Sequence, residues 1–435
     1  MERIFKTLQR LYQETVATKN FSAAHWVQTL EPVFAANGFR SSRQENRPHR
    51  ILLLHDAGMG DFVNLSPSLR EIRQAFPASE ITLVIYTRSR DLAMACPYVD
   101  RVIVNERAFD WSDLLALLRW DIQFAEDLLP LHYDLCVNFA HYAGTPLLSY
   151  LSGARERIGY ESIGDPLRWA SDLPYDAVTP FLTRRVPYHL RNIHSICYYL
   201  TLVEALVGHP FAIGQPEVWY TPRERKQAEM VLREWTQGAG ACADPCWIAV
   251  VPGGTNPTHH WPAAFYGELL RRLHDEPGGE MLRFLILGGK EDREEAAVIL
   301  QALPGGVACD RTGRQSFRAS AALLDACACY IGNDTGLMNV AAACGLPVLV
   351  PTCLSADRKP DETTTYGAFY PFGVPSVSVQ PRHPLPGCQW PLNTNGCRKT
   401  QPHCICQITP ERMQTGFHVL LDRIRAQETT PAYIT

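Results

Sequence analysis

The chain has 435 residues, of which 46% are hydrophobic and 20% charged, enough apolar material for two cored domains. A formal net charge of −4 gives no broad attraction to polyphosphate and excludes a general nucleic-acid binder. No apolar run reaches the roughly 18 residues of a membrane span, and the first residues lack a secretory apolar core, so the protein is expected in the cytoplasm.

Residues 1–49 read as a helical extension. Phe5, Leu8, Leu11 and Tyr12 recur at helical spacing, as do Trp26, Leu30 and Val33, with a break at 20–22 and a polar linker over 41–49. Three roles stay open for this extension: core packing, partner docking and peripheral membrane contact. The first domain, 50–215, opens with the apolar strand 50–54, followed by the glycine-bearing loop 55–61 and a helix from Phe62 that ends near Phe76. Further strands are expected at 81–85, 99–104 and 133–138. Gly58 and Gly60 permit a tight turn and close approach of backbone to a ligand, although a lone Gly-x-Gly is a weak signal.

A helix over 194–207 leads to a second domain, 216–408, and then to a C-terminal helix and tail, 409–435. The second domain repeats the alternation. Strand 247–251 delivers the loop 252–262, and Pro262 is expected at the first position of the helix 263–273. Strand 283–287 feeds the loop 288–294. A strand end at Tyr330 then breaks at 332–336 and runs on as a small-residue helix, 337–344, which Gly345 stops before the strand 347–350. A strand–polar loop–helix joint presents bare N–H groups and a positive dipole end, a natural seat for phosphate. Asp334 would orient such a loop as an N-cap or accept from a ribose hydroxyl. The expected fold is α/β, with two Rossmann-like parallel-sheet domains facing a cleft.

Taken in order, these loops resemble glycosyltransferase family 9, the ADP-heptose:lipopolysaccharide heptosyltransferases of GT-B fold. The first half carries the resemblance in 51–61 and 67–70, then in 76–83, 97–103, 133–135, 151–155 and 157–159. In the second half it lies in Pro252–Gly254 with Trp261–Pro262, in 287–292 and in Gly332–Gly336, so that roughly residues 50–380 are covered. It implies inverting, metal-independent transfer of a sugar from a nucleotide-sugar donor to a lipopolysaccharide core or other glycan, including a lipid-linked glycan at the inner face of the membrane. By position, Asp61 would be the general base and Gly58, Met59 and Gly60 the acceptor-side loop, the alternative being that Asp61 caps the helix from Phe62. Donor binding would fall to Gly253, Gly254, Thr255, His259, Asp334, Thr335, Gly336 and Asn339. Glu291 or Asp292 would accept from the ribose, or else serve as helix-start carboxylates. His259 stands where many members carry Lys, and Asn339 where they often carry His. Both changes thin the positive charge around a diphosphate, for which Arg314 or Arg318 would compensate.

Of the fourteen cysteines, ten are scattered, several of them in apolar runs where a reduced thiol packs as a small hydrophobe. Cys388, Cys397, Cys404 and Cys406 crowd one stretch. Their spacing is not that of a paired zinc ribbon; four thiols suit a structural zinc or iron, disulfides or free thiols alike. Two other readings of the whole chain stay open: a nucleotide-sugar epimerase of GT-B fold, and a catalytically silent homologue that binds a nucleotide sugar or a partner.

Overall fold

The computed structural model describes residues 1–39, 48–55, 57–106, 114–140, 144–161, 178–187, 194–238, 244–353, 370–383, 385–386 and 401–434. The chain forms two compact units. One comprises Met1–Gly58, Pro67–Leu190 and Ile196–Ile213, and the other Met59–Ser66, Arg191–Ser195 and Gly214–Thr435.

The first unit begins with helices α1 (Glu2–Thr18) and α2 (Ala23–Ala36). Strand β1 (Arg50–His55) leads to α3 (Met59–Ala75), β2 (Glu80–Tyr86), α4 (Arg90–Ala93) and β3 (Arg101–Asn105). Then come α5 (Leu114–Leu128), β4 (Leu135–Asn138), α6 (Gly144–Leu151), β5 (Glu156–Tyr160), β6 (Arg184–Val186) and α7 (Ser195–Val207). The six strands pair in parallel in the order β3-β2-β1-β4-β5-β6. This is a Rossmann-like sheet, reversing direction of growth between β1 and β4. Covered on both faces, β1 buries every residue from Ile51 to His55, which is why it reads as an unbroken apolar run.

The N-terminal helices are core material. Ile4, Leu8, Leu11, Trp26, Leu30 and Phe34 bury themselves in one cluster with Leu118, Ile122, Tyr150 and Phe181. Phe34 meets the Tyr150 ring edge-on at 5.5 Å. Ser22 caps α2 by accepting from the His25 N–H.

In the second unit, α8 (Pro222–Gly238) precedes β7 (Cys246–Val251), α9 (Ala263–Asp275), β8 (Leu282–Ile286), α10 (Arg293–Gln301) and β9 (Ala308–Asp310). The chain continues through α11 (Phe317–Asp325), β10 (Cys329–Gly332), α12 (Gly336–Ala343) and β11 (Val348–Pro351). It closes with β12 (Ser376–Val379), α13 (Pro410–Ala426) and β13 (Ala432–Ile434). The sheet is again parallel, in the order β13-β12-β11-β10-β7-β8-β9. Pro262 takes the N-cap position of α9 rather than its first helical position.

One feature of α3 differs from expectation, its start. The helix starts at Met59, three residues before Phe62, and Gly58 is its N-cap. Pro67 lies inside it, as the expected helix from Phe62 to Phe76 already required. Proline has no N–H to give the Val63 carbonyl; the Ser66 hydroxyl donates to that carbonyl instead, at 2.6 Å, and accepts from the Glu217 N–H at 2.7 Å. The first two turns, Met59–Ser66, group with the second unit.

Candidate active site

The start of α3 and the start of α12 lie side by side within the second unit. A Cβ placed on Gly336 would fall 3.2 Å from the Gly60 nitrogen, and one on Gly60 would fall 3.3 Å from Gly336 Cα and 2.7 Å from Asn339 Nδ2. Glycine at both positions lets the two backbones approach this closely without displacing a neighbour. Two helix N-termini therefore converge, each with first-turn N–H groups that lack partners one turn back.

Asp61 and Asp334 flank this junction. Asp61 is half-buried in the first turn of α3. The cap position belongs to Gly58, so the capping role weighed for Asp61 does not apply; its carboxylate faces the favourable end of the helix dipole from within the turn. Asp334 is likewise not a cap. Thr335 holds the N-cap position of α12, and Asp334 precedes it. Burial, and after it the negative charge of Asp61, pushes the Asp334 carboxyl up to about 7. Since the unfolded chain releases this proton near 3.8, the folded state binds it more tightly, and stability falls as pH rises from about 4 to 7. Asp334→Asn is expected to flatten that part of the Tm–pH curve; an unchanged slope would locate the titration elsewhere.

The far end of α12 behaves as the glycine signal implied. Gly345 takes φ +82°, its N–H reaches the Ala342 carbonyl at 2.9 Å, and the Leu346 N–H reaches Ala341 at 3.0 Å. This double closure fixes the helix length. Asn339 is buried, with its amide turned to α3: Oδ1 accepts from Asn64 Nδ2 at 3.4 Å, and Asn64 also donates to Ser195 Oγ at 2.8 Å.

The loop after β7 comes against the same region. Gly254 has φ +153°, and a Cβ there would meet Thr335 Cγ2 at 2.8 Å; His260 Nε2 donates to its carbonyl at 3.1 Å. Thr255 is exposed and His259 half-buried. Burial, and then the charge of His260, holds His259 below the usual histidine range, so it adds no fixed positive charge at neutral pH. Arg318 does not make up the difference freely, for it ion-pairs with Glu224 at 3.0 Å, and Arg314 lies 4.0 Å from Asp310.

Glu291 and Asp292 separate clearly. Glu291 is exposed, its carboxylate folded back beside Gly289. Asp292 is buried and accepts from the Gly289 N–H at 2.7 Å. Its carboxylate occupies the space that a side chain on Gly253 or Gly288 would need, and burial raises its pKa.

Asn333 is the residue the motif reading passed over. It is fully buried. Its Oδ1 accepts from the Trp261 N–H at 3.0 Å and the Tyr266 hydroxyl at 2.9 Å, and its Nδ2 donates to the carbonyls of Pro252 and, at 3.2 Å, Gly253. The signal was an amide between Gly332 and Asp334, a place where Asn reads equally well as a turn residue.

Cys388 and Cys397 lie outside the described residues. Cys404 is buried, with the Leu385 N–H pointing at its sulfur at 3.4 Å and His403 Nδ1 3.5 Å away, whereas Cys406 is exposed. Among the described residues no group of three or more His, Cys, Asp or Glu side chains is placed to hold a metal ion, and no helix is long and apolar enough to cross a membrane.

The chain matches the family model for glycosyltransferase family 9 (heptosyltransferase) over residues 123–368. Lipopolysaccharide heptosyltransferase 2 of Escherichia coli K12 is 32% identical to it over 326 residues, 72% of this chain and 84% of that protein. Lipopolysaccharide heptosyltransferase 1 of Pseudomonas aeruginosa is 23% identical over 391 residues, spanning 86% and 98% of the two chains. Among solved structures, the glycosyl transferase family 9 protein from Veillonella parvula DSM 2008 shares the fold with a TM-score of 0.67 at 19% identity, covering 86% of this chain and 98% of that one. The structure of E. coli ADP-heptose lps heptosyltransferase II shares it with a TM-score of 0.61 at 18% identity, covering 86% and 99%.

Proposed function

This chain belongs to glycosyltransferase family 9, the heptosyltransferases, and we infer that it is an inverting glycosyltransferase moving heptose or a similar sugar from an ADP-linked donor to a lipopolysaccharide core or other glycan acceptor. The observation that carries the assignment of roles is the convergence of two helix starts with Asp61 on one and Asp334 beside the other. Asp61 acts as general base. It takes the proton of the acceptor hydroxyl as that oxygen attacks the anomeric carbon from the face opposite the nucleotide, and the bond to the diphosphate breaks. Charge building on the departing diphosphate is stabilised by the N–H groups that open α12 at Gly336 and by the loop 253–255.

The fold shared with E. coli ADP-heptose lps heptosyltransferase II supports an adenine nucleotide, and the similarity to lipopolysaccharide heptosyltransferases of E. coli and P. aeruginosa supports a core-glycan acceptor. Titration calorimetry against ADP, UDP and GDP is expected to favour ADP by about tenfold or more, a difference of about 1.4 kcal/mol. ADP release from ADP-heptose should then depend on an added truncated core glycan. Binding of another nucleotide in preference would remove the ADP reading, and failure to release nucleotide with any core acceptor would remove transferase activity. A structural zinc or iron at Cys388, Cys397, Cys404 and Cys406 is part of the same proposal on the chemistry of four thiolates. Elemental analysis of the purified full chain would show about one equivalent of metal, and a metal-free, fully folded protein would remove it.

A further inference from the structure

We propose that Asn333 is a positioning residue for sugar transfer, setting the backbone of the donor loop 252–255 without touching substrate. This rests on the functional reading above for its biological meaning, although its structural content stands apart from it.

The case begins with saturation. A side-chain amide has two donor hydrogens and an oxygen with two lone pairs, and Asn333 uses all four inside the protein. Its main chain is equally committed. The N–H extends the β7–β10 ladder to the Val251 carbonyl at 2.9 Å, and the carbonyl accepts from the Tyr330 hydroxyl at 2.8 Å. No polar atom remains to meet a ligand, so the residue acts only through what it holds.

What it holds is specific. Its two donors go to consecutive carbonyls, those of Pro252 and Gly253, at the point where the chain leaves β7. With these carbonyls turned inward to Asn333, the peptide planes that follow are fixed. On the other side, the Asp292 carboxylate packs where a Gly253 side chain would be. Gly253 is therefore clasped from two directions by side chains from two other loops. Gly254 and Thr255 continue from this clamp toward the start of α12, where Gly254 meets Thr335. The acceptor half of the amide ties the same point to Trp261 and Tyr266, at the entry and first turn of α9. Because Asp334 follows Asn333 directly, one side chain sets the spacing between the loop 252–255 and the residues that open α12. A buried, fully satisfied amide suits this task, since any partner left behind by its loss is costly to bury.

Asn333→Asp keeps the shape and both acceptor contacts but removes both donors and turns a carboxylate toward two carbonyls. Tyr266→Phe is the control: it removes one acceptor contact and leaves the clamp on Pro252 and Gly253. Two readouts are taken on the full chain. The first is amide hydrogen exchange at Gly253, Gly254 and Thr255, expected to quicken about tenfold or more in Asn333→Asp and to stay at the parent rate in Tyr266→Phe, with β7 itself unchanged in both. The second is ADP affinity at several pH values. It is expected to fall about tenfold or more in Asn333→Asp and less than about twofold in Tyr266→Phe. The deficit should shrink as pH falls, because protonating the introduced carboxyl restores one donor. If Asn333→Asp does not fold, Asn333→Ser, neutral and able to supply one donor, is read in the same way. Parent-like exchange over 253–255 in a folded variant overturns the proposal. So does an affinity loss that Tyr266→Phe reproduces, since that would mark general destabilisation. If the parent itself binds no ADP, the functional reading fails, and the exchange measurement still decides the role of Asn333.

Discussion

Asp61→Asn should lower the rate of sugar transfer by about 10²–10⁴, the usual cost of losing a positioned base, while donor affinity stays within about twofold of the parent. The comparison isolates chemistry because Asp61 lies inside the first turn of α3 and is not its cap, so the substitution leaves the helix start intact. One side effect is expected. Removing the Asp61 charge lets the Asp334 carboxyl move down from about 7. Affinity is therefore best compared near pH 8, where Asp334 is ionised in both proteins. Transfer at the parent rate would mean that Asp61 is not the base, whatever its position.

Gly336→Val should lower transfer about tenfold or more, because the backbone at the start of α3 must give by a few tenths of an ångström and rates fall steeply when a reacting group is misplaced. The added carbon meets the Met59 side chain at 2.6 Å and the Gly60 nitrogen at 3.2 Å. Met59 ends in a flexible thioether that swings aside, but the Gly60 nitrogen is backbone and does not. The first turn of α3 must shift, carrying Asp61 with it. Truncating the thioether in a Met59→Ala, Gly336→Val double variant should therefore recover only a small part of the loss. Full recovery would show that the side chain, and not the backbone approach, was the obstacle. Gly336 is not in the left-handed region, so its lack of a side chain matters for closeness alone.

The sequence carried the main strands because they are buried on both faces: Ile51–Leu54 and Trp247–Val251 have no polar alternation to blur them. It also carried the stop at Gly345, which needs a left-handed residue. It was weaker on β6 and β9, three residues each, where pairing with a neighbour rather than local preference makes the strand. The start of α3 was missed by three residues because Met59 and Gly60 carry no start signal, and Gly58 caps with no side chain. The motif pointed to Asp61, Asp334 and the glycines but could not separate a carboxylate that meets solvent from one that packs. Asp292, spent on the Gly289 N–H, and Asn333, spent on four partners, look in sequence like any polar loop residue. Their roles arise from partners up to 81 positions away, a separation that no local pattern records.

The packing of the first turns of α3, Met59–Ser66, against α12 has a consequence for how the protein is made. Strands β1 to β6 are complete once Val186 has been synthesised, yet the turn bearing Asp61 finds its partners far along the chain, as in the contact between Asn64 and Asn339, 275 residues apart. Folding proceeds N-terminal part first during synthesis, and closing so long a loop is slow. On this wiring the first sheet is expected to form before the turn carrying Asp61 is seated, which pulse-labelled exchange during refolding would check as late protection at the start of α3. The same wiring defeats a cut at the apparent border. Two fragments divided after Ile213 would leave Asp61 on one polypeptide and Gly336 and Asn339, against which its turn packs, on the other.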